Sequence, residues 1–470
     1  VIPALRRLLE DFPDHQKASD AATALADAYD ALGQPARRDS VLTRLESREG
    51  GSGAAARAML AFAGEKLDAD PVQARELLTR IIARHPGTPE ASEARLQIAR
   101  FLAQEGRHAE AHDMVAPLCS DGDAEIAGRA RMRAAEAAYE TGEYDEAARL
   151  YRDALDSGAS SIDRGGAWYG LAWSRLELGE RDAAIEALMR LFREHRESSV
   201  WTDGAYRLGQ LLAEADRKRE AADVYAALGE NDEAGSLGLD AMYRRALLLR
   251  ERKAYTQAAA LLRKVAAGSD RALAVQGLFE LGRTLHEQGR LTEATGAFVE
   301  LAGKATEERM AQQAMYSAGV CQTTMKRWKK AAEYFASAAA MPGPARPDAL
   351  LGEGWARAML GEHEKAASHF GALLRETPDY TKGAEVSFRL AQSLQELGRY
   401  AQVDSICLEL AVRQDWPYPD RALYLGATAK EKMGDSAGAA SAYQELIAQH
   451  PSSNLVPYAK AHLDALAGEG

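Results

Sequence analysis

Cysteine is nearly missing from the 470 residues: Cys119, Cys321 and Cys407 stand alone. Three isolated thiols rule out a disulfide framework and any thiolate cluster with metal-ligand spacing. Each lies in a helical, mostly apolar stretch and reads as small buried filler. Such scarcity suits oxidising and reducing compartments alike. Aromatic residues are 7% of the chain, and Thr, Val and Ile are scarce beside Ala, Leu, Glu and Arg. That leaves little material for a sheet, so an all-α fold is expected. No apolar run is long enough to cross a bilayer as a helix. The sequence also lacks a phosphate loop, a nucleophile elbow and paired catalytic carboxylates, so no enzyme, cofactor or small-molecule substrate is expected. The net charge of -12 is spread along the chain and disfavours nonspecific nucleic-acid binding. The first residues, Val1 to Arg7, resemble neither an initiator methionine nor a signal peptide.

What is present is a phrase that repeats. It has a turn residue, then a helix start, an Ala five residues after the turn and a large apolar side chain four later, as in Gly142-Glu143-Tyr144-Asp145-Glu146-Ala147 and Tyr151. The turn residue falls at Gly33, Ala69, Gly106, Gly142, Gly179, Asp216, Lys253, Gly289, Lys326, Gly361, Gly398 and Gly434, at intervals of 35 to 37 residues. Each interval holds two amphipathic helices, because apolar residues recur with a helical period on both sides of the turn. Around Gly289, the stripe Leu278, Leu281, Gly282, Leu285 faces Ala294, Phe298 and Leu301. Gly282 and Ala294 are expected where the two helices approach most closely. One pair cannot bury both stripes, so neighbouring pairs must stack. Prolines such as Pro86, Pro378 and Pro451 punctuate the copies. Two connections differ: Gly50-Gly51-Ser52-Gly53 reads as a hinge or a tolerant loop, and Met341 to Pro347 as a stiffened link. The reading gives about twelve repeats over 17–452, the second helix of an incomplete repeat at 1–13 and a terminal helix at 455–466. By this register the sequence is expected to be part of a longer protein.

The pattern resembles the tetratricopeptide repeat family, whose Leu-Gly, Tyr, Gly-x-Tyr-x-x-Ala, Phe, Ala and Pro positions match in part at almost every copy. It departs in its period, longer than the usual 34, and in turns such as that at Asp216. The resemblance implies an α-α superhelix of helix-turn-helix units and a non-catalytic scaffold or adaptor holding a partner peptide or helix in a concave groove. The other reading is a regulatory repeat region of a larger protein whose catalytic or membrane domain lies outside this sequence. The linkers at His85-Pro86-Gly87-Thr88-Pro89 and His450-Pro451-Ser452 are similar to those of bacterial envelope proteins, namely the Tol-system coordinator and outer-membrane assembly lipoproteins. That similarity implies a periplasmic or envelope complex, although cytosolic relatives carry such linkers too.

In the family, the fifth residue of each first helix faces the groove. The register then lines up Leu96, Met132, Tyr169, Tyr206, Tyr243, Phe279, Tyr316, Leu351, Phe388 and Tyr424. The ladder is either a recognition surface for an apolar or extended peptide or packing between successive helices. Residues that break the pattern on the same face are the sharper candidates: Trp173, Trp355, Arg283 and His286. Glutamates recur at the thirteenth position of the first helices (Glu140, Glu177, Glu214, Glu251, Glu287, Glu396), which the helix dipole does not explain; the row is either a solvated helix end or a contact for a basic partner. Trp201, Trp416 and Tyr418 fall in linkers and read as loop pins. His108 and His112 lack a third ligand, and the family's clamp for acidic chaperone tails needs Lys and Asn where this chain has its ladder.

Overall fold

The computed structural model describes residues 1–13, 15, 17–47 and 52–468; of the Gly50-Gly51-Ser52-Gly53 reading, Gly50 and Gly51 lie outside the described residues, and Ser52 and Gly53 open the helix Ser52–Lys66 instead of belonging to a loop. Among the described residues there is no strand. Twelve successive helix pairs run from Ala18–Ala31 with Pro35–Glu46 to Pro419–Lys432 with Ser436–Gln449, flanked by the helices Ile2–Asp11 and Val456–Gly468. The chain forms two compact units, Val1–Leu228 and Gly229–Gly470, and within each a helix packs mainly against its neighbours in sequence.

The turn inside each pair explains the repeat. At eleven of the twelve expected turn positions the residue has a positive φ, the conformation that ends a helix by folding the chain back over its last carbonyls. At Gly289 the backbone N–H donates to His286 O at 2.9 Å, and the N–H of Arg290 donates to Leu285 O at 2.8 Å. Asp216, Lys253 and Lys326 hold the same conformation at φ of 58°, 60° and 56° despite their side chains. Ala69 is the exception. There the helix Ser52–Lys66 stops early, and Asp70 starts the next one by accepting a bond from the Gln73 N–H, followed by Pro71.

Close approach within a pair depends on a missing side chain. A Cβ at Gly282 would lie 2.5 Å from the Phe298 ring, and Gly209 stands in the same relation to Tyr225, Gly319 to Phe335 and Gly354 to Phe370, at 2.5, 2.6 and 2.6 Å. All four rings are buried, as is Ala294. The expected contact between Gly282 and the second helix is therefore real, and it recurs.

The linkers are pinned from inside. Gln312 is fully buried; its Nε2 donates to Ala338 O at 3.2 Å and Met341 O at 2.7 Å, and its Oε1 accepts from the Ala345 N–H at 3.3 Å. This one amide satisfies the polar backbone on both sides of the Pro342–Pro344 link. Trp201 proves to be the first residue of the helix Trp201–Glu214 rather than part of the loop before it. It still acts as a pin: its ring stacks on Phe192 at 5.6 Å while Nε1 donates to Phe192 O at 3.0 Å. Cys321 and Cys407 are buried and Cys119 is half-buried. Burial pushes the Cys321 thiol up to about 11 and the Cys407 thiol up to about 12, so both behave as inert filler.

Two substitutions test these two constraints. Gly282→Ala should destabilise by about 1–2 kcal/mol, because overpacking against Phe298 outweighs the better helix propensity of alanine; urea unfolding that shows no loss would disprove the close contact. Lys326→Gly should stabilise by about 1 kcal/mol by removing the left-handed penalty of a side chain, read as a higher unfolding midpoint.

Candidate partner-binding face

The residues expected to face a partner all lie on the first helices of their pairs. The ladder serves packing first. Its rings lean on the aromatic residue of the second helix in the same repeat: Tyr206 on Tyr225, Phe279 on Phe298, Tyr316 on Phe335 and Tyr424 on Tyr443, with centroids 6.4, 6.5, 5.7 and 5.8 Å apart. Leu96, Met132 and Phe388 are buried. Tyr169, Tyr206, Tyr243, Phe279 and Tyr316 are half-buried, so each keeps an edge at the surface. Burial holds the Tyr243 and Tyr316 phenols above their usual range, which keeps both neutral.

Neither tryptophan singled out as a pattern breaker stands free. Trp173 meets the Tyr169 ring edge-on at 6.0 Å and lies under the Arg207 guanidinium at 5.8 Å. Trp355 lies under the guanidinium of Arg389 at 3.9 Å. Both contacts join the ninth position of one first helix to the sixth position of the next, and both pairs are separated by the same 34 residues in sequence. A planar cation over an indole face is attracted by the ring quadrupole, and the long stem adds apolar cover. Arg389 is packed closely enough that burial lowers its pKa. The arginines were not picked out from the sequence, where the shared Trp-to-Arg spacing was the available signal.

Within Gly229–Gly470, Arg283, His286 and Tyr316 come together. They line an open hollow of about 320 Å³ with Phe298 and Val320. Arg283 lies over the Phe279 ring at 5.7 Å and is tethered by a single bond to Glu280 at 3.2 Å. Glu280 is buried and is also bound by Arg250 at 2.5 Å, so its charge is compensated twice. Arg283 and His286 are both exposed. Trp355 sits apart from this hollow, with Arg389, and Tyr243 packs into the core of the same unit. In the Val1–Leu228 unit, Tyr169 and Trp173 adjoin each other, with Tyr206 on the next first helix. The helix-end glutamates are all exposed; Glu214 comes within 3.9 Å of Arg181. Half-buried rings beside partly committed arginines can grip an apolar or extended peptide.

Tetratricopeptide repeat models match residues 68–113, 123–162, 132–199, 279–343 and 324–381, and a second tetratricopeptide repeat model matches 421–453, together more than half of the chain. No curated protein matches. Similar solved structures include YrrB, described as a TPR protein with an unusual peptide-binding site, at 20% identity over 43% of this chain and 97% of that one, with a TM-score of 0.34. They also include the APC/C hetero-tetramer Cut9-Hcn1, at 13% identity over 98% and 99% of the two chains, with a TM-score of 0.32.

Removing the cation above Trp355 should be felt by both partners. Arg389→Ala is expected to cost about 1–2 kcal/mol in stability through lost cation–π attraction and packing. It should also shift Trp355 fluorescence to the red, isolated by subtracting a Trp355→Phe variant; Arg389→Lys should restore part of each change. An unmoved spectrum would show that the contact is not made.

Proposed function

Because the chain belongs to the tetratricopeptide repeat family, we propose that it is a non-catalytic scaffold or adaptor that receives a peptide segment or helix of a protein partner on its first-helix face. The observation that carries this reading is the hollow at Arg283, His286 and Tyr316. There an exposed imidazole and an arginine bound at only one point stand beside a half-buried ring. Large rigid rings lose little side-chain entropy on contact, and arginine supplies both a flat apolar face and hydrogen-bond donors. Tyr169, Trp173 and Tyr206 extend the same chemistry in the other unit. The linker style supports a bacterial envelope complex as the setting.

Site-specific photo-cross-linking in the native cells tests the face. A photoreactive residue at His286 or Ser317 should give discrete protein adducts, whereas the same residue at Arg263 or Glu300 on second helices should not. Arg283→Glu should reduce the His286 adducts at least several-fold by reversing the charge at the hollow. Equal adducts from both faces would sink the assignment.

A further inference from the structure

A second hollow in the Gly229–Gly470 unit, of about 470 Å³, opens between the helix Gly383–Glu396 and the loop leading into Pro419–Lys432. The loop is set before any ligand arrives. Trp416 is buried, its Nε1 donates to Tyr418 O at 2.7 Å, and its ring packs against Phe388 and Tyr418 at 5.1 and 5.4 Å. The charges around the hollow are unevenly satisfied. Lys382 is spent on Asp348 at 2.5 Å, and Asp415 takes both prongs of Arg413 at 2.8 and 2.6 Å. Arg389, fixed against Trp355, has Glu385 only at 3.7 Å and the Gln392 carbonyl oxygen at 3.4 Å. Arg421 is exposed, lies over the Tyr418 ring at 4.6 Å, and has no carboxylate within ion-pair distance among the described residues. Burial depresses the pKa of Arg389, Glu385 works against that shift, and the charge of Arg421 adds to it, so the two cations feel each other and Glu385 compensates Arg389 only in part.

We propose that this hollow is a subsite for a carboxylate side chain of a partner segment, held between Arg389 and Arg421. The inference rests on the first-helix face being the one that meets partners, and it adds the chemical class of one anchor. Two guanidiniums already oriented by rings lose little freedom on binding a carboxylate, and charge-assisted bonds of this kind are the strong ones. A monoanion is favoured over a phosphate dianion because Glu385 and Asp415 also line the hollow and repel excess negative charge.

Fluorescence polarisation with a labelled hexaglutamate peptide and its hexaglutamine counterpart tests the subsite on the whole chain. The glutamate peptide should bind on the order of tenfold more tightly, a preference that weakens as salt rises. Arg421→Gln, a surface change that should leave the thermal midpoint in place, should erase that preference; Arg389→Gln should do the same with some loss of stability. Equal binding of the two peptides, or continued discrimination by Arg421→Gln, would overturn the proposal, and tighter binding of a phosphoserine peptide would overturn the choice of carboxylate. Cross-linking at His286 separates the two readings. Adducts that persist when hexaglutamate discrimination is absent leave the face standing and remove the subsite; discrimination without His286 adducts does the reverse.

Discussion

Every pair in this chain depends on how closely two helix backbones can approach, and in four repeats a bare α-carbon over an aromatic ring sets that distance. Gly209, Gly282, Gly319 and Gly354 let Tyr225, Phe298, Phe335 and Phe370 fill the space a side chain would take. The rings are then buried from both sides, which offsets the helix propensity that glycine gives up. The ladder rings settle on these same buried rings, so the half-buried edges of the first helices are positioned by the core beneath them. A change at the glycine would move the surface as well as weaken the fold.

The fold was legible because its constraints are local and repeat. Turn residues at intervals of 35 to 37 marked the left-handed positions at eleven of twelve sites, including Asp216, Lys253 and Lys326, where composition alone argues against that conformation. Ala69 misled for a physical reason: alanine has no means of lowering the left-handed penalty, and Asp70 with Pro71 offered another way to begin the next helix. Trp201 was misplaced by one boundary, the least certain feature of any helix read from sequence.

The face was legible only in part. Register put the ladder, Arg283 and His286 on first helices, and they lie there. It could not say that Gln312 would satisfy a whole linker, since that depends on three backbone groups converging in space. It also missed Arg207 and Arg389, because the pairing of Trp173 and Trp355 is made between repeats rather than inside one. The tryptophans were expected to be free anchors, and they are half-covered instead.

That cover has a mechanical meaning. Each indole is part of a joint: its arginine belongs to the following first helix, so the ring, the cation and the angle between two neighbouring helices form one coupled unit. Rotating one of these helices against the next must slide the guanidinium across the indole face, which costs cation–π attraction. Each contact therefore resists bending between two adjacent first helices, one at Trp173 and one at Trp355.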